Sequence, residues 1–315
     1  MRWELPVGGL GGWAESKGTL MASFRLDGRT ILIETDLLCA EVHTEGYVSG
    51  VAGGTFCDKT TGARDLGFGL DIVDFLLEPL PDEPGAAHPY VTGDPYHGNL
   101  IKRYVELPQI CTGAKRLEFD VTQREGAVTV RQWFRYQEAT YGREPGSLWE
   151  QTLTFRDGLR WFLASDRIMS ANDVDRLTLR LDMPGHLKHD AGDSFERIYL
   201  SYHGEIASSE FIDDFPPDAR NLYQREAGPV PERMIRAYQV RLGGKPGPWL
   251  AGMTLDPGIV SEAWCHQRGY VCFIQEIGDI EVRRGESFGA TYVIGWFDDL
   301  EQMVEVYDQQ RTCHR

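Results

Sequence analysis

The sequence lacks an uninterrupted apolar run long enough to cross a bilayer, and it has little positive charge. Its 315 residues carry 48 acidic and 32 basic side chains, for a formal net charge of −16. Such a balance opposes binding to the phosphates of nucleic acids, so we expect neither a nucleic-acid partner nor a membrane partner. The first residues also lack the apolar core of a secretory signal, which predicts a cytoplasmic protein unless a signal was removed.

Several enzyme motifs are missing too. There is no P-loop and no H-E-x-x-H of zinc proteases, and the G-x-S-x-G pattern of serine hydrolases occurs at residues 285–289, between two predicted strands rather than before a helix. The six cysteines are scattered without a C-x-x-C pair, which favours buried, reduced thiols over a disulfide framework. No repeat or linker divides the chain, and 42% hydrophobic content can fill a large core. We therefore predict a single domain over residues 1–315.

What the sequence does contain is a series of short alternating segments separated by turn signals. Three hairpins are predicted, with turns at residues 27–28, 125–126 and 157–158. Residues 176–183 alternate apolar with charged or hydroxyl side chains, so one face of that strand should be apolar and the other polar. Further strands are predicted near the C-terminus, within 269–282 and 288–297. The pattern predicts an all-β fold, a large antiparallel β-sandwich with few short helices.

One helix is predicted with a clear stripe, over residues 298–309. Leu300, Met303, Val304 and Tyr307 repeat at helical spacing behind acidic residues. A short turn of helix is also predicted over residues 231–238.

The segment from Ile280 to Ile294, IEVRRGESFGATYVI, combines a strand, a turn and a Gly-Glu that leads into the next strand. With the hairpins between Gln151 and Met183, it resembles the galactose-mutarotase-like β-supersandwich of carbohydrate epimerases, lyases and hydrolases. The resemblance covers only part of the chain. It implies a large antiparallel sandwich whose concave face binds sugar, and it assigns no catalytic residue.

Three segments broken by glycine or proline place histidine beside tyrosine and a cation. In the first, residues 94–104, His97 and Tyr104 are candidate acid–base groups, and Lys102 and Arg103 could bind an acidic group. This segment follows a proline-rich stretch that is long for an ordinary loop, which favours a functional one. A loop histidine flanked by exposed cations is the alternative.

The second segment, residues 198–205, contains Tyr202 and His203, two further candidate acid–base groups at a strand end, and it follows a loop over residues 184–190 with two more histidines. His186 and His189 are three residues apart, but a metal site would need a third ligand, and glycine and proline oppose the helix that would align the two rings. A solvated loop is therefore the preferred interpretation of this pair. We expect no organic cofactor, and a divalent metal stays open.

The third segment has Trp264, His266, Arg268 and Tyr270 at alternating positions, which in a strand would share one face. We interpret His266 as catalytic, Trp264 as a stacking platform, and Arg268 and Tyr270 as substrate contacts. A solvated outer face is the alternative. Arg236 belongs to a weaker set of the same kind and is a further substrate-binding candidate.

Together these features predict a carbohydrate-active enzyme. The leading hypothesis is a lyase that cleaves a uronic-acid-containing glycan by β-elimination, with histidine and tyrosine as acid and base and arginine or lysine neutralising the carboxylate. A glycoside hydrolase or sugar epimerase using a carboxylate pair is the alternative, and many acidic residues could supply that pair, namely Glu150, Asp182, Glu205, Glu210 and Asp214. A noncatalytic glycan-binding module is the third hypothesis. The predicted partner is the carbohydrate substrate, and the sequence leaves open a homo-oligomer.

Overall fold

The computed structural model describes residues 22–80, 91–92, 102–140, 142–189, 194–216 and 219–314. Strands dominate this part of the chain, and every strand pair in it is antiparallel. In chain order the strands of the first half are β1 (Ser23–Asp27), β2 (Thr30–Glu34), β3 (Leu38–His43), β4 (Val51–Ala52), β5 (Cys57–Asp58), β6 (Gly69–Leu70), β7 (Ile72–Pro79), β8 (Val91–Thr92), β9 (Lys102–Leu107), β10 (Glu118–Arg124), β11 (Ala127–Arg135), β12 (Glu138–Ala139) and β13 (Leu148–Arg156).

The remaining strands are β14 (Trp161–Met169), β15 (Val174–Asp182), β16 (Phe195–Leu200), β17 (Gly204–Ala207), β18 (Leu222–Gln224), β19 (Met234–Leu242), β20 (Lys245–Thr254), β21 (Val260–Gln267), β22 (Val271–Val282) and β23 (Ser287–Phe297). The α-helices are α1 (Ile110–Gly113) and α2 (Leu300–Cys313), and Ser208–Phe211 and Pro257–Ile259 are 3₁₀ turns.

Two large sheets contain most of these strands. A nine-stranded sheet has the order β10-β11-β13-β14-β23-β20-β19-β16-β17. An eight-stranded sheet has the order β12-β9-β7-β15-β22-β21-β18, with β8 paired to β9. A four-stranded sheet, β1-β2-β3-β5, and the pair β4-β6 complete the fold. The predicted all-β antiparallel sandwich is confirmed.

The main core lies between the two large sheets, because each contributes alternate apolar side chains to one buried cluster. The members include Val128, Leu153 and Phe162 from the nine-stranded sheet and Leu76, Leu179 and Phe273 from the eight-stranded sheet.

Helix α2 covers the other face of the nine-stranded sheet. Met303 and Tyr307 on the helix pack against Trp249 and Val293, and the Tyr307 hydroxyl donates to the carbonyl oxygen of residue 254 at 2.9 Å. The Asp299 side chain caps the helix by accepting from the backbone N–H of residue 302 at 2.8 Å. The predicted helix is confirmed and runs to Cys313. No helix in the described ranges is both long and apolar enough to span a membrane.

The three predicted hairpins are confirmed as β1–β2, β10–β11 and β13–β14. Gly28, Gly126 and Gly158 at their turns all have positive φ, which glycine adopts without strain. The predicted helical turn over residues 231–238 is wrong, because Met234–Leu242 forms strand β19. Its side chains pack on both faces of the sheet, so burial in the sandwich outweighs local helical propensity.

Candidate active site

The polar face predicted for residues 176–183 is the face of the eight-stranded sheet that points away from the main core. Leu177, Leu179 and Leu181 enter the core, so Arg180 and Asp182 project to the opposite side. Neighbouring strands place further polar groups on that side. We call this surface the site face, and define it by Asp74, Phe75, Lys102, Tyr104, Arg180, Asp182, Glu262, Trp264, His266, Cys272 and Glu276.

An irregularity in β7 adds the carboxylate of Asp74 to the site face, next to Phe75. Leu179 pairs with Leu76 and Leu181 with Val73, so two residues of β7 lie opposite the single residue Arg180. Such a bulge bends the strand and redirects side chains, often beside active sites. It brings the Phe75 ring within 5.8 Å of the Arg180 guanidinium.

A buried ion network occupies one part of the site face. Glu276 accepts from Arg180 at 2.6 Å and forms a second ion pair with Lys102, whose ammonium also lies 2.9 Å from Glu262. Burial opposes ionisation of Glu276, but Arg180 and Lys102 outweigh it and hold its pKa below the usual value. The Arg180 guanidinium also stacks 5.3 Å from the Trp264 ring. A cavity of about 210 Å³ opens beside Lys102 and Glu262.

At one end of the site face, Asp74 and Asp182 form an acid–base cluster with His186, which lies in the loop after β15. The His186 Nε2 lies 3.1 Å from an oxygen of Asp182. Burial alone would lower the pKa of His186, but Asp182 and contact with Cys272 raise it well above the usual value. The imidazole is therefore held protonated near neutral pH.

Asp74 has the opposite perturbation. Burial and the nearby charge of Asp182 raise the pKa of its carboxyl to about 6. The same carboxyl oxygen accepts from the Gln109 amide at 2.7 Å and from the Cys111 thiol at 3.2 Å, which fixes its orientation. The cluster thus combines a carboxyl that titrates near pH 6 with an imidazolium, an arrangement suited to proton transfer.

Close backbone packing holds His186 in place after β15. A side-chain carbon at Gly67 would lie 1.9 Å from the His186 carbonyl oxygen, and one at Gly185 would lie 1.9 Å from the carbonyl oxygen of residue 69. Only glycine permits these approaches. The His186 carbonyl accepts from the N–H of Phe68 at 3.1 Å, so the loop carrying Phe68 and the loop carrying His186 are fixed to each other.

Aromatic rings surround the acid–base cluster. Tyr47, Phe68 and Tyr270 are 41%, 40% and 39% exposed, and they are the exposed large aromatic side chains of the described residues. The Tyr270 ring lies 5.4 Å from the Phe68 ring and 5.2 Å from the His186 ring. Burial, then Cys111, Asp182 and Asp74, raise the pKa of Tyr47, which places that phenol beside the same carboxyls. We call these three rings the aromatic rim.

The structure brings several sequence-predicted site residues to the site face. Tyr104 stacks edge-on against Phe75 at 5.1 Å, and burial with the charge of Asp74 raises its pKa to about 12. His266 is buried on β21 directly opposite Cys272. Tyr270 belongs to the aromatic rim, and Lys102 and Trp264 belong to the ion network, where Trp264 is fully buried.

Other predicted residues lie elsewhere. Tyr202 packs against the main core and His203 is exposed, both in the turn between β16 and β17 of the nine-stranded sheet. Arg236 is buried between the sheets and donates to the carbonyl oxygen of residue 274 at 2.6 Å. Arg103 pairs with Glu78 at 2.9 Å, away from the ion network.

The predicted alternation of the third segment holds only in part. Strand β21 ends at Gln267, so Trp264 and His266 share a strand face, whereas Arg268 is exposed in the following turn. His97 lies outside the described residues.

Sequence reasoning missed Asp74, Cys111 and Tyr47, and it interpreted His186 as part of a solvated loop. A signal for Asp74 was present, because a lone carboxylate interrupts the apolar run IVDFLL of residues 72–77. Among the residues that the structure places, no group of three or more histidine, cysteine, aspartate or glutamate side chains could hold a metal ion.

No protein-family model matches the chain. No curated protein matches it either. Among solved structures, it is similar to an aldose 1-epimerase homologue from Escherichia coli, with 8% identity, a TM-score of 0.47 and coverage of 87% of this chain and 99% of that one. It is also similar to galactose 1-epimerase from Lactobacillus acidophilus, at 11% identity, a TM-score of 0.42 and coverage of 88% and 98%.

Longer proteins match as well. A TPR-domain containing protein from Parabacteroides distasonis is 13% identical, with a TM-score of 0.46 and coverage of 86% of this chain and 47% of that one. An alpha-N-acetylgalactosaminidase from Bifidobacterium bifidum is 11% identical, with a TM-score of 0.48 and coverage of 92% and 39%. The chain therefore spans less than half the length of these two proteins. Similarities of this size say nothing about the chemistry of the chain.

Proposed function

We propose that the chain is a carbohydrate-active enzyme that transfers protons on a sugar, with Asp74 as base and His186 as acid. The proposal is carried by the setting of these groups: a buried carboxyl with a pKa of about 6 and a half-buried imidazole with a raised pKa occupy one cluster beside the aromatic rim. At neutral pH Asp74 is mostly ionised and His186 is protonated, as acid–base catalysis requires. Aromatic faces beside a few fixed polar groups suit a sugar ring.

The reaction that these groups support best is epimerisation at the anomeric carbon. Asp74 removes the proton of the anomeric hydroxyl, the bond from that carbon to the ring oxygen breaks, and His186 protonates the ring oxygen. The resulting open-chain aldehyde rotates about its first carbon–carbon bond. The ring then closes on the other face, with each proton returned by the reverse steps.

β-Elimination on a uronic-acid-containing glycan, which the sequence favours, is the second candidate. Tyr104, with a pKa of about 12, is a protonated phenol beside Asp74 that could supply a proton to a departing oxygen. The reaction also needs a cation to neutralise the substrate carboxylate. Lys102, Arg103 and Arg180 each form ion pairs with glutamates of the chain, so we rank the epimerase first.

Hydrolysis by a carboxylate pair has less support. It requires one carboxyl as acid and a second as nucleophile or base. Asp74 and Asp182 lie in one cluster, but Asp182 already forms an ion pair with His186.

One set of assays separates these reactions. The purified chain is mixed with freshly dissolved aldohexoses and followed by polarimetry, and with acidic and neutral glycans followed by absorbance of unsaturated uronates and by new reducing ends. Faster anomer interconversion supports the epimerase, and unsaturated products support the lyase. Saccharide binding without turnover in any assay would refute both enzymes and favour a glycan-binding module.

A further inference from the structure

Two cysteines face each other across the pairing of β3 with β5. Cys39 and Cys57 are direct partners in this antiparallel register, and their thiols interact with each other. Directly opposed residues of antiparallel strands have Cα atoms about 4.5–5.5 Å apart. A disulfide bridges Cα atoms about 4.4–6.8 Å apart, so the backbone already fits a bond between the two sulfurs.

The pair is also accessible from one side. Cys39 is half-buried and lines a surface groove of about 440 Å³ together with Arg25, Glu41 and Arg64. A small reagent entering this groove reaches Cys39, while its cross-strand partner Cys57 is buried. The more exposed thiol can therefore react first and the buried one can resolve the product.

None of the other cysteines has this arrangement. Across the strand pairs of the described residues, Cys265 lies opposite Phe273 and Cys272 lies opposite His266. Cys111 donates to Asp74 in the acid–base cluster, and Cys313 is exposed at the end of α2.

We propose that Cys39 and Cys57 form a redox-modification site whose co-reactant is a small-molecule disulfide. The Cys39 thiolate attacks one sulfur of the reagent and expels a thiolate, leaving a mixed disulfide on Cys39. The Cys57 thiolate then attacks the Cys39 sulfur and expels the second half of the reagent. The two protons of the cysteine thiols go to the expelled thiolates. The protein loses two electrons, which reduce the reagent to two thiols.

The rate of this reaction should depend on pH. Burial and contact with Cys57 raise the pKa of Cys39 to about 11, and Arg64 and Lys59 only partly oppose that effect. Because the thiolate is the nucleophile, oxidation is slow at neutral pH and faster in mildly alkaline solution.

The test uses the 315-residue chain and its Cys313→Ser variant, which lacks the exposed thiol. Each protein is incubated with oxidised glutathione at pH 7 and pH 9, quenched with an alkylating reagent and examined by intact-mass and peptide mass spectrometry. For the Cys313→Ser variant at pH 9, we expect the mass to fall by two hydrogen atoms and a linked peptide pair to contain Cys39 and Cys57. Three of its five cysteines then remain open to alkylation after unfolding. Dithiothreitol should make all five available again.

A Cys57→Ser variant supplies the control. Without the resolving thiol, the glutathione adduct on Cys39 should persist, whereas in the native chain it should not accumulate. Alkylation of both Cys39 and Cys57 after incubation at pH 9, or a lasting adduct on Cys39 of the native chain, would overturn the proposal. If Cys57→Ser does not fold, the peptide map of the native chain decides alone.

Discussion

Replacing the buried carboxyl of Asp74 with an amide should stabilise the protein while removing its proposed base. The Asp74 side chain is 7% exposed and lies near the negative charge of Asp182, so its ionised form is disfavoured in the folded state. Asparagine keeps the carbonyl oxygen that accepts from Gln109 and Cys111, and it carries no charge. The Asp74→Asn variant therefore removes a penalty without removing these hydrogen bonds.

The size of the effect follows from linkage between protonation and folding. The ordinary pKa of 3.8 becomes about 6 in the folded chain, a difference that corresponds to about 3 kcal/mol. Because the folded pKa is raised, the stability that protonated Asp74 contributes is present below pH 3.8 and is lost as the pH rises through 6. The Asn variant should thus exceed the native chain in free energy of unfolding by about 3 kcal/mol at pH 8, and by less than about 1 kcal/mol at pH 4.

Urea unfolding at a series of pH values measures this difference directly. Glu205→Gln is the control, since Glu205 is exposed and pairs with exposed Arg197. Glu205→Gln should change the free energy of unfolding by less than about 1 kcal/mol at every pH. Equal stability of Asp74→Asn and the native chain at pH 8, or a gain that does not change with pH, would refute the assignment of a raised pKa to Asp74.

Three further predictions follow from the same site. Glu276→Gln removes the carboxylate that pairs with buried Lys102 and Arg180, so the free energy of unfolding measured in urea at neutral pH should fall by about 3–5 kcal/mol. A fall of less than about 1 kcal/mol would contradict the buried network. The turnover rate should rise with pH through about 6 as Asp74 ionises and fall at higher pH as His186 loses its proton; a flat pH profile would count against this pair. Phe68→Ala removes an exposed ring of the aromatic rim, so the KM for the sugar should rise roughly fivefold, which corresponds to about 1 kcal/mol, while the free energy of unfolding stays the same. An unaltered KM would show that Phe68 does not contact the sugar.

The fold could be predicted from the sequence because its local signals agree with its packing. Each predicted hairpin has an acidic residue followed by glycine at the turn and alternating side chains on both sides. The same periodicity identified the polar face of β15, which carries Arg180 and Asp182. Strand order could not be predicted, since pairs such as β14 with β23 join segments far apart in the chain.

The site was only partly predictable, because it depends on contacts between distant strands. Tyr104, His266 and Tyr270 were identified by residue type, and the structure brings them near Asp74, Cys272 and His186 respectively. Asp74 stands out as a lone carboxylate in an apolar run, but the bulge that adds it to the site face depends on the pairing of β7 with β15 and leaves no local pattern in the chain. Glutamates that neutralise Lys102 and Arg180 come from strands β21 and β22, so spacing along the chain could not reveal that these cations are paired.

The most direct test of the account is the rate at which the purified chain interconverts the anomers of freshly dissolved aldohexoses, compared with the rates of Asp74→Asn and His186→Asn. Polarimetry at pH 7.5 supplies the rate, and urea unfolding checks that each variant is folded. We expect the native chain to accelerate interconversion over buffer, and each folded variant to lose about 100-fold or more of that rate. Variants as fast as the native chain, or a native chain inactive on every aldohexose, would contradict it.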